Sequence, residues 1–416
     1  MAALDGMRIL DMTQYEAGTS CTQALAWLGA DVVKIEPPTG DPGRQAQNPP
    51  GNAPYFIQWN SNKRSISLDL ANPRGRDLLL QMAPHYDVFV ENYAYGVMEK
   101  LDIGYEVMRE ANPGLIYARL KGFGLSGPYA PYRAFDTVAQ AMGGGVTMTG
   151  TADGPPLIPG TMTGDTGTGL QLALAISAAY IQRTRTGEGQ FIEISMQEAL
   201  TYFMRTAISA AGWDGSRRPR HGSAVRDSAT MRIYPCKPFG KNDHVVMLCV
   251  TQQMWDKLCL AIGKPHLAAD PRFNTDDQRL INAEALTEEI SAWTSERTKY
   301  EVFETLGEAG VPCGAVQDTA ELFEDRHMQG RGFIHELDHP EHGPIRVLGW
   351  APRLSASEVP VVRAPLHGEH SADVLREDLG LDESTITELF DSDVLVTSDP
   401  PAGPGSRQYT GSGRPR

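Results

Sequence analysis

The alternation of strand-like and helix-like segments over the first 125 residues constrains the fold more than any other feature of this sequence. Parallel strands need a crossover of a dozen or more residues, which is usually a helix. The pattern therefore predicts an α/β fold whose large domain is Rossmann-like and built on a parallel sheet. Helices are expected over 20–28 and after Pro73. Short apolar runs predict strands at 8–11, 31–36, 65–70, 87–91 and 115–120.

The rest of the chain predicts a second, smaller domain inserted into the first. Long helices are expected over 166–183 and 196–212, on either side of a strand at 190–195. The predicted parts are the N-terminal part of the large domain (1–216), a small α+β domain with its linker (217–325), a return to the large domain (326–398) and a Pro-, Gly- and Ser-rich disordered tail (399–416).

Charge and composition argue against several classes of function. The 416 residues carry 52 Asp and Glu against 37 Lys and Arg, and this net charge of −15 does not fit a nucleic-acid-binding surface. No run of about 18 apolar residues predicts a membrane span. The N-terminus shows no signal-peptide pattern. The five cysteines are odd in number and widely spaced, which is typical of reduced thiols in a cytoplasmic protein.

Common cofactor and metal motifs are missing. The turn after the first predicted strand has one glycine, Gly18, where a dinucleotide fingerprint needs three. The glycine-rich segment 164–169 is not followed by the Lys-Ser/Thr pair of a P-loop. The ten histidines show no ligand-like spacing, so no metal centre is predicted.

Asp165 lies in that glycine-rich segment, just before a long apolar run. One interpretation is a helix cap, the usual role of an Asp at this place. The other is a nucleophile: glycines let a bulky substrate approach the backbone, and a carboxylate at a helix N-terminus can attack an activated acyl group.

An ordered series of short motifs extends from about residue 5 to residue 380. Each motif is weak alone, but together they resemble the class III coenzyme A transferases, the CaiB/BaiF family. The motifs include LGADVVKIE at 28–36, NKRSI at 62–66, VENY at 90–93, KGFG at 121–124, RTGEGQ at 185–190, GVPCG at 310–314 and GEH at 368–370.

The resemblance implies a fold, an assembly and a reaction. It implies a homodimer of two interlocked, ring-like chains. It also implies a transferase acting on an acyl-CoA and a carboxylic acid, with coenzyme A as substrate and no permanently bound cofactor. Asp165 matches the family's nucleophile, whose attack on the thioester would give a mixed anhydride and then an aspartyl-CoA thioester.

Further roles are implied at single positions. Glu16 stands where the formyl-CoA transferase branch has an active-site glutamine, so it is expected to be an acid/base or a substrate selector. Phe135 stands where the family's racemases place a catalytic histidine, and phenylalanine cannot shuttle a proton. Asp136 is expected to orient the catalytic site or to cap the helix that follows. Gly164 and Met196 are expected near the acyl pocket.

The phosphates of CoA must be met by local basic groups, because the chain as a whole is acidic. Two alternatives to the transferase remain open: a 2-methylacyl-CoA racemase-like enzyme, which Phe135 disfavours, and a non-catalytic acyl-CoA-binding protein. The positions expected to contact CoA are Asn92, Tyr93, Leu68, Asp69, Lys63, Arg64, Lys100 and Arg133.

Overall fold

The computed structural model describes residues 1–46, 53–225 and 228–397. Three short 3-10 helices lie at Pro42–Gln45, Ala83–His85 and Pro265–Ala268. The strands of these residues are β1 (Arg8–Met12), β2 (Asp31–Glu36), β3 (Lys63–Ser67), β4 (Val88–Glu91), β5 (Ile116–Lys121), β6 (Phe191–Ser195), β7 (Ala224–Val225), β8 (Ser228–Pro235), β9 (His244–Met247), β10 (Cys313–Ala315), β11 (Ile334–His339) and β12 (Gly343–Leu348).

The α-helices range from single turns to one of 24 residues. They are α1 (Ala17–Ala26), α2 (Pro54–Asn60), α3 (Pro73–Met82), α4 (Val97–Lys100), α5 (Tyr105–Ala111), α6 (Asp136–Met142), α7 (Gly145–Met148), α8 (Thr163–Thr186), α9 (Met196–Phe203), α10 (Arg205–Ile208), α11 (Ala211–Asp214), α12 (Gln252–Ala261), α13 (Asp276–Ile281), α14 (Ala283–Thr294), α15 (Lys299–Glu308), α16 (Glu321–Glu324), α17 (Arg326–Gly330), α18 (Ser371–Leu379) and α19 (Glu383–Asp391).

Six parallel strands form the main sheet, in the order β3-β2-β1-β4-β5-β6. Leu10 pairs with Val33 on one side and with Phe89 on the other. Strands of such a sheet are covered on both faces and are therefore apolar almost throughout. Accordingly, Leu10 packs in one core while its neighbour Ile9 packs in a second core on the opposite face. The predicted α/β fold with a parallel sheet is confirmed.

The chain folds into two compact units. The first comprises 1–145, 158–209 and the described residues from 332 onward, and it holds the parallel sheet and the β11–β12 hairpin. The second comprises 146–157 and 210–331, whereas the sequence placed its boundaries at 217 and 326 and left 146–157 in the large domain.

The second unit is built on the antiparallel sheet β10-β9-β8-β7. Helices α12, α14 and α15 supply part of its core, in which Trp255, Leu258, Ile290 and Val302 are completely buried. Across the described ranges, none of the helices combines the length and the apolar composition that a bilayer crossing requires.

The predicted helix over 196–212 is wrong. The structure has three short helices, α9, α10 and α11, instead of one. The first ends where the Met204 N–H turns back to the Thr201 carbonyl at 3.0 Å, a tightened 3-10-type bond that closes the last turn. The predicted tail, 399–416, lies outside the described residues.

Helices α1 and α8 pack closely because α8 has a glycine, Gly169, where the two helices meet. Every residue of α1 is buried. A methyl group added at Gly169 of α8 would overlap the Ser20 hydroxyl and lie 2.5 Å from the Ala17 carbonyl oxygen. The backbones can approach this closely only because position 169 has no side chain.

Replacing Gly169 with alanine should therefore destabilise the protein. We expect Gly169→Ala to lower the free energy of unfolding by about 1–3 kcal/mol, since the methyl group forces the two helices apart. The matched control is Gly307→Ala in α15, where the methyl group meets open space and should stabilise by about 0.5 kcal/mol. Urea unfolding followed by circular dichroism measures both, and equal midpoints for the two variants would contradict the close contact.

Candidate active site

Asp165 is the third residue of α8, and its helix is capped by a different aspartate. Asp136, the first residue of α6, accepts hydrogen bonds through one carboxylate oxygen from the N–H groups of Gly164 at 2.8 Å and Asp165 at 3.1 Å. The residue at the N-cap position, Met162, contributes no side-chain cap. The interpretation of Asp165 as the cap is therefore wrong, and its carboxylate is left available for another role.

The capping group is itself held in place. The side-chain amide of Gln140, one turn further along α6, donates to the second carboxylate oxygen of Asp136 at 2.5 Å and to the Thr161 carbonyl at 2.9 Å. A methyl group at Gly164 would lie 2.9 Å from the Asp136 carboxylate. Gly164 is thus needed for the cap, whereas contact of Gly164 with substrate stays a prediction.

Glu16 faces the same site from the N-terminus of α1 and is buried, with 4% of its surface exposed. The Tyr55 hydroxyl lies 3.4 Å from its carboxylate. Burial, together with the charges of Asp165 and Asp136, raises the pKa of Glu16 to about 8. Burial and the charge of Asp136 raise the pKa of Asp165 to about 7. We call Glu16, Asp136 and Asp165 the carboxylate cluster.

Tyr55 is a member of the site that the sequence analysis missed. It lies in the first turn of α2, and burial together with the charges of Glu16 and Asp165 raises the pKa of its phenol well above the usual range. The phenol therefore stays protonated and can donate a hydrogen bond. Its only sequence signal is Pro54, which marks the start of a helix and indicates no chemistry.

Two exposed aromatic rings border the carboxylate cluster. Tyr15 directly precedes Glu16, and Phe135 directly precedes Asp136; the ring centroids are 5.9 Å apart and the rings are perpendicular. Tyr15 has a left-handed backbone with φ of 58°, stabilised by the hydrogen bond from its N–H to Asp41 at 3.2 Å. Phe135 is 62% exposed and has no group that could carry a proton.

An open cavity of about 180 Å³ lies at the carboxyl ends of the strands. It is bounded by Met12 at the end of β1, Glu36 at the end of β2 and Tyr93 just after β4. Strands β1 and β4 are where the strand order reverses, the usual ligand crevice of such sheets. Leu68 and Asp69, predicted to contact CoA, also line this cavity.

The other predicted CoA contacts are found in different settings. The Asn92 side chain exchanges two hydrogen bonds, of 2.8 and 2.9 Å, with the backbone of Gln14, so it fixes the turn before Tyr15. Lys100 is exposed and adjoins Leu101 of the cavity wall, and Arg133 is exposed two residues before Phe135. Contact of these residues with CoA stays a prediction.

Three predicted site residues belong neither to the cavity wall nor to the carboxylate cluster. Lys63 is completely buried and pairs with Asp11 at 2.9 Å, so its ammonium cannot meet a phosphate. Arg64 pairs with Asp31 at 2.6 Å, at the amino end of β2, which is the edge of the sheet opposite the cavity. Met196 is packed in the core of the first unit rather than in an open pocket.

One group of metal-ligating side chains occurs in the described residues, although the sequence analysis found no such spacing. The turn of the β11–β12 hairpin brings ligand atoms of His339, Glu341 and His342 within 4.8 Å of one another. The His339 Nδ1 accepts a hydrogen bond from the Glu341 N–H at 3.2 Å. None of these residues belongs to the carboxylate cluster or the cavity wall.

Comparison with known proteins identifies the chain's relatives. The model of CoA-transferase family III matches residues 4–371. The chain belongs to CoA-transferase family III. The formyl-CoA:oxalate CoA-transferases of Streptomyces avermitilis and a Bradyrhizobium species are each 38% identical to it, over 94% and 96% of this chain and 99% and 98% of theirs.

Solved structures agree with this family assignment. A CaiB/BaiF family protein from Brucella suis matches with a TM-score of 0.82 and 31% identity, over 90% of this chain and 99% of that one. Rv3272 from Mycobacterium tuberculosis matches with a TM-score of 0.78 and 28% identity, over 90% and 99%. This CoA-transferase is therefore an enzyme of class III, and the predicted family is confirmed.

The pKa of Asp165 predicts a pH dependence for this CoA-transferase. The nucleophile role predicted for Asp165 needs the ionised carboxylate, so the acidic limb of the pH profile of kcat/KM for the acyl-CoA should have its midpoint near pH 7. Asp136→Asn removes the neighbouring charge but keeps an oxygen for the cap, and should lower this midpoint by about one pH unit. A wild-type midpoint at the ordinary pKa of aspartate would contradict the raised value.

Proposed function

We propose that this CoA-transferase moves CoA from an acyl-CoA donor to a carboxylic acid through covalent intermediates on Asp165. The observation that carries the proposal is that two different aspartates cap α8 and provide the available carboxylate at its first turn. Asp136 takes the exposed N–H groups of the helix, and the Asp165 carboxylate has no hydrogen bond or ion pair within the described residues. A carboxylate that is not engaged in a hydrogen bond or an ion pair can serve as a nucleophile.

The proposed reaction consists of balanced exchanges at three carbonyl carbons, those of the donor, of Asp165 and of the acceptor. An Asp165 oxygen bonds to the thioester carbonyl carbon, the C–S bond breaks, and CoA thiolate leaves a mixed anhydride behind. The thiolate then attacks the Asp165 carbonyl carbon, the donor acid leaves, and an aspartyl-CoA thioester forms. The acceptor carboxylate displaces CoA to give a second anhydride, and CoA attacks the acceptor's carbonyl carbon to release new acyl-CoA. No water is consumed, and each step exchanges one activated acyl group for another.

The groups that stabilise the developing oxyanion must come from outside the α8 backbone. The N–H groups of Gly164 and Asp165 are bonded to Asp136, and that of Thr166 to the Met162 carbonyl at 3.0 Å. The Tyr55 phenol and a protonated Glu16 are the O–H donors of the site. A donor aimed at the developing charge is worth about 3 kcal/mol in systems where one has been removed.

We place CoA along the carboxyl edge of the sheet. The cavity at Leu68, Asp69 and Tyr93 would hold one end of CoA, and Lys100, an exposed cation that precedes Leu101 of the cavity wall, would meet a phosphate. The thioester end would reach the carboxylate cluster. Both features belong to the first unit, in which β1 ends at the cavity and α1 begins at the cluster.

Replacing Asp165 tests the proposed nucleophile. Asp165→Asn should lower the rate of CoA transfer at least about 1,000-fold, because the covalent route is lost, while the Kd for CoA changes less than about threefold. The matched control, Asp391→Asn on the exposed end of α19, should leave the rate unchanged. In the wild type, hydroxylamine added with acyl-CoA should leave a hydroxamate on Asp165, detected by peptide mass spectrometry. Full activity of Asp165→Asn would refute the assignment.

We also propose that the enzyme is a homodimer, in keeping with the family resemblance. The support is the apolar surface of α8, where Leu170, Leu174 and Ile181 are exposed on the helix and Leu174 is 72% exposed. Exposed apolar patches of this kind mark protein interfaces. Light scattering on a size-exclusion column should give twice the chain mass. Leu174→Glu should shift the mass toward the monomer, whereas Arg109→Glu on the exposed side of α5 should not; a monomeric wild type would refute the dimer.

A further inference from the structure

The carboxylate cluster differs from the other buried acidic groups of the first unit because it has no cation. Within the described residues, no Lys, Arg or His forms an ion pair with its three members, and their hydrogen bonds come from neutral N–H and O–H groups. Other buried carboxylates are paired with cations, as in Asp11–Lys63, Glu36–Arg44 and Glu91–Lys121.

An anionic substrate therefore meets repulsion in this site unless its charge is used in the reaction. The reacting carboxylate of an acceptor loses its charge when it becomes an anhydride. A second carboxylate on the same molecule would keep its charge beside Glu16 and Asp136. Like charges at short range in a partly buried site repel each other strongly. We expect each nearby negative charge to lower the affinity for a second carboxylate roughly tenfold.

The border of the site offers apolar contact instead. The Tyr15 and Phe135 rings stand side by side and are 39% and 62% exposed. Their positions next to Glu16 and Asp136 put them at the cluster rather than elsewhere on the surface. Perpendicular aromatic rings provide an edge and a face against which an acyl chain or a further ring can pack.

We propose, on the basis of the proposed function, that the acceptor is a monocarboxylic acid with an apolar body, and that Glu16 is the residue that rejects dicarboxylic acids. The apolar body packs on Tyr15 and Phe135, and its single carboxylate reacts at Asp165. The named activity of the relatives from Streptomyces and Bradyrhizobium includes oxalate, a dicarboxylate, so this chain would differ from them in its acceptor.

The rejection should depend on pH through Glu16. The titratable groups that face Glu16 are Asp165 on α8, Asp136 on α6 and Tyr55 on α2. Burial and the two aspartates raise the pKa of Glu16 to about 8, so Glu16 is neutral below that pH and carries a charge above it. Discrimination against a second carboxylate should therefore grow as the pH rises through about 8.

The test compares butyrate with succinate, which replaces the terminal methyl group by a carboxylate. With one acyl-CoA donor, we expect the kcat/KM ratio of butyrate to succinate to rise from about 10 at pH 6.5 to about 100 at pH 9 in the wild type. In Glu16→Gln the ratio should stay near 10 at both values. Equal use of the two acids, or a wild-type ratio that does not change with pH, would overturn the role of Glu16.

The aromatic contact is tested separately. Phe135→Ala should lower the kcat/KM ratio of phenylacetate to acetate about tenfold, because the lost ring contributes only to the larger acid. Val107→Ala, at an exposed apolar residue of α5 that belongs neither to the carboxylate cluster nor to the proposed dimer surface, is the control and should not change it. If Phe135→Ala leaves the ratio unchanged but changes the mass measured by light scattering, a second copy of the chain covers the rings. That result would overturn the proposed contact with the acid.

Failure of this proposal can be told apart from failure of the proposed function. Exchange of labelled CoA into acyl-CoA needs only the anhydride on Asp165 and no acceptor acid. If the exchange occurs and succinate is used as well as butyrate, the acceptor assignment is wrong and the transferase mechanism stands. If neither exchange nor transfer occurs with any acid, the proposed function fails and the acceptor assignment fails with it.

Discussion

The close approach of helices α1 and α8 is the contact on which the rest of the site depends. Gly169 lets the two backbones meet at Ser20 and Ala17, and that contact brings the N-terminus of α1 near the first turn of α8. Glu16 and Asp165 lie at those two helix starts. A larger residue at position 169 would separate the carboxylates even though it lies a full turn from Asp165. The glycines of the segment 164–169 thus have packing roles that precede any contact with substrate.

The carboxylate cluster shows how function opposes stability in this fold. Elsewhere the buried charges are matched, as in Lys34 with Asp41 at 2.8 Å, but Glu16 and Asp165 are not. Both have pKa values above their ordinary ones, so the folded state binds more protons than the unfolded state between about pH 4 and 8. Stability from this source is therefore greatest at low pH and falls as the pH rises, in the same range where Asp165 loses the proton that the proposed attack requires it to lose.

The sequence predicted the fold better than it predicted the site. The strand at 31–36 matches β2 residue for residue, because an apolar run between a helix-ending glycine and two prolines leaves little choice. The sequence does not reveal that Lys63 is buried against Asp11 or that Arg64 pairs with Asp31 at the opposite edge of the sheet, because a basic residue in a strand gives no sign of its partner. Tyr55 was missed because it reaches Glu16 across the fold, and no local pattern records a contact over 39 positions.

The turn between β1 and α1 connects the two halves of the proposed CoA site. Met12 lines the cavity, and four residues later Glu16 joins the carboxylate cluster. Between them Tyr15 adopts a left-handed backbone, a conformation that costs about 1 kcal/mol or more for a residue with a side chain. The buried Lys34 and Asp41 offset this cost: Lys34 donates to the Thr13 carbonyl at 2.7 Å and pairs with Asp41, which accepts from the Tyr15 N–H. A substrate that spans the cavity and the cluster would therefore run along a turn whose shape is fixed from inside the protein.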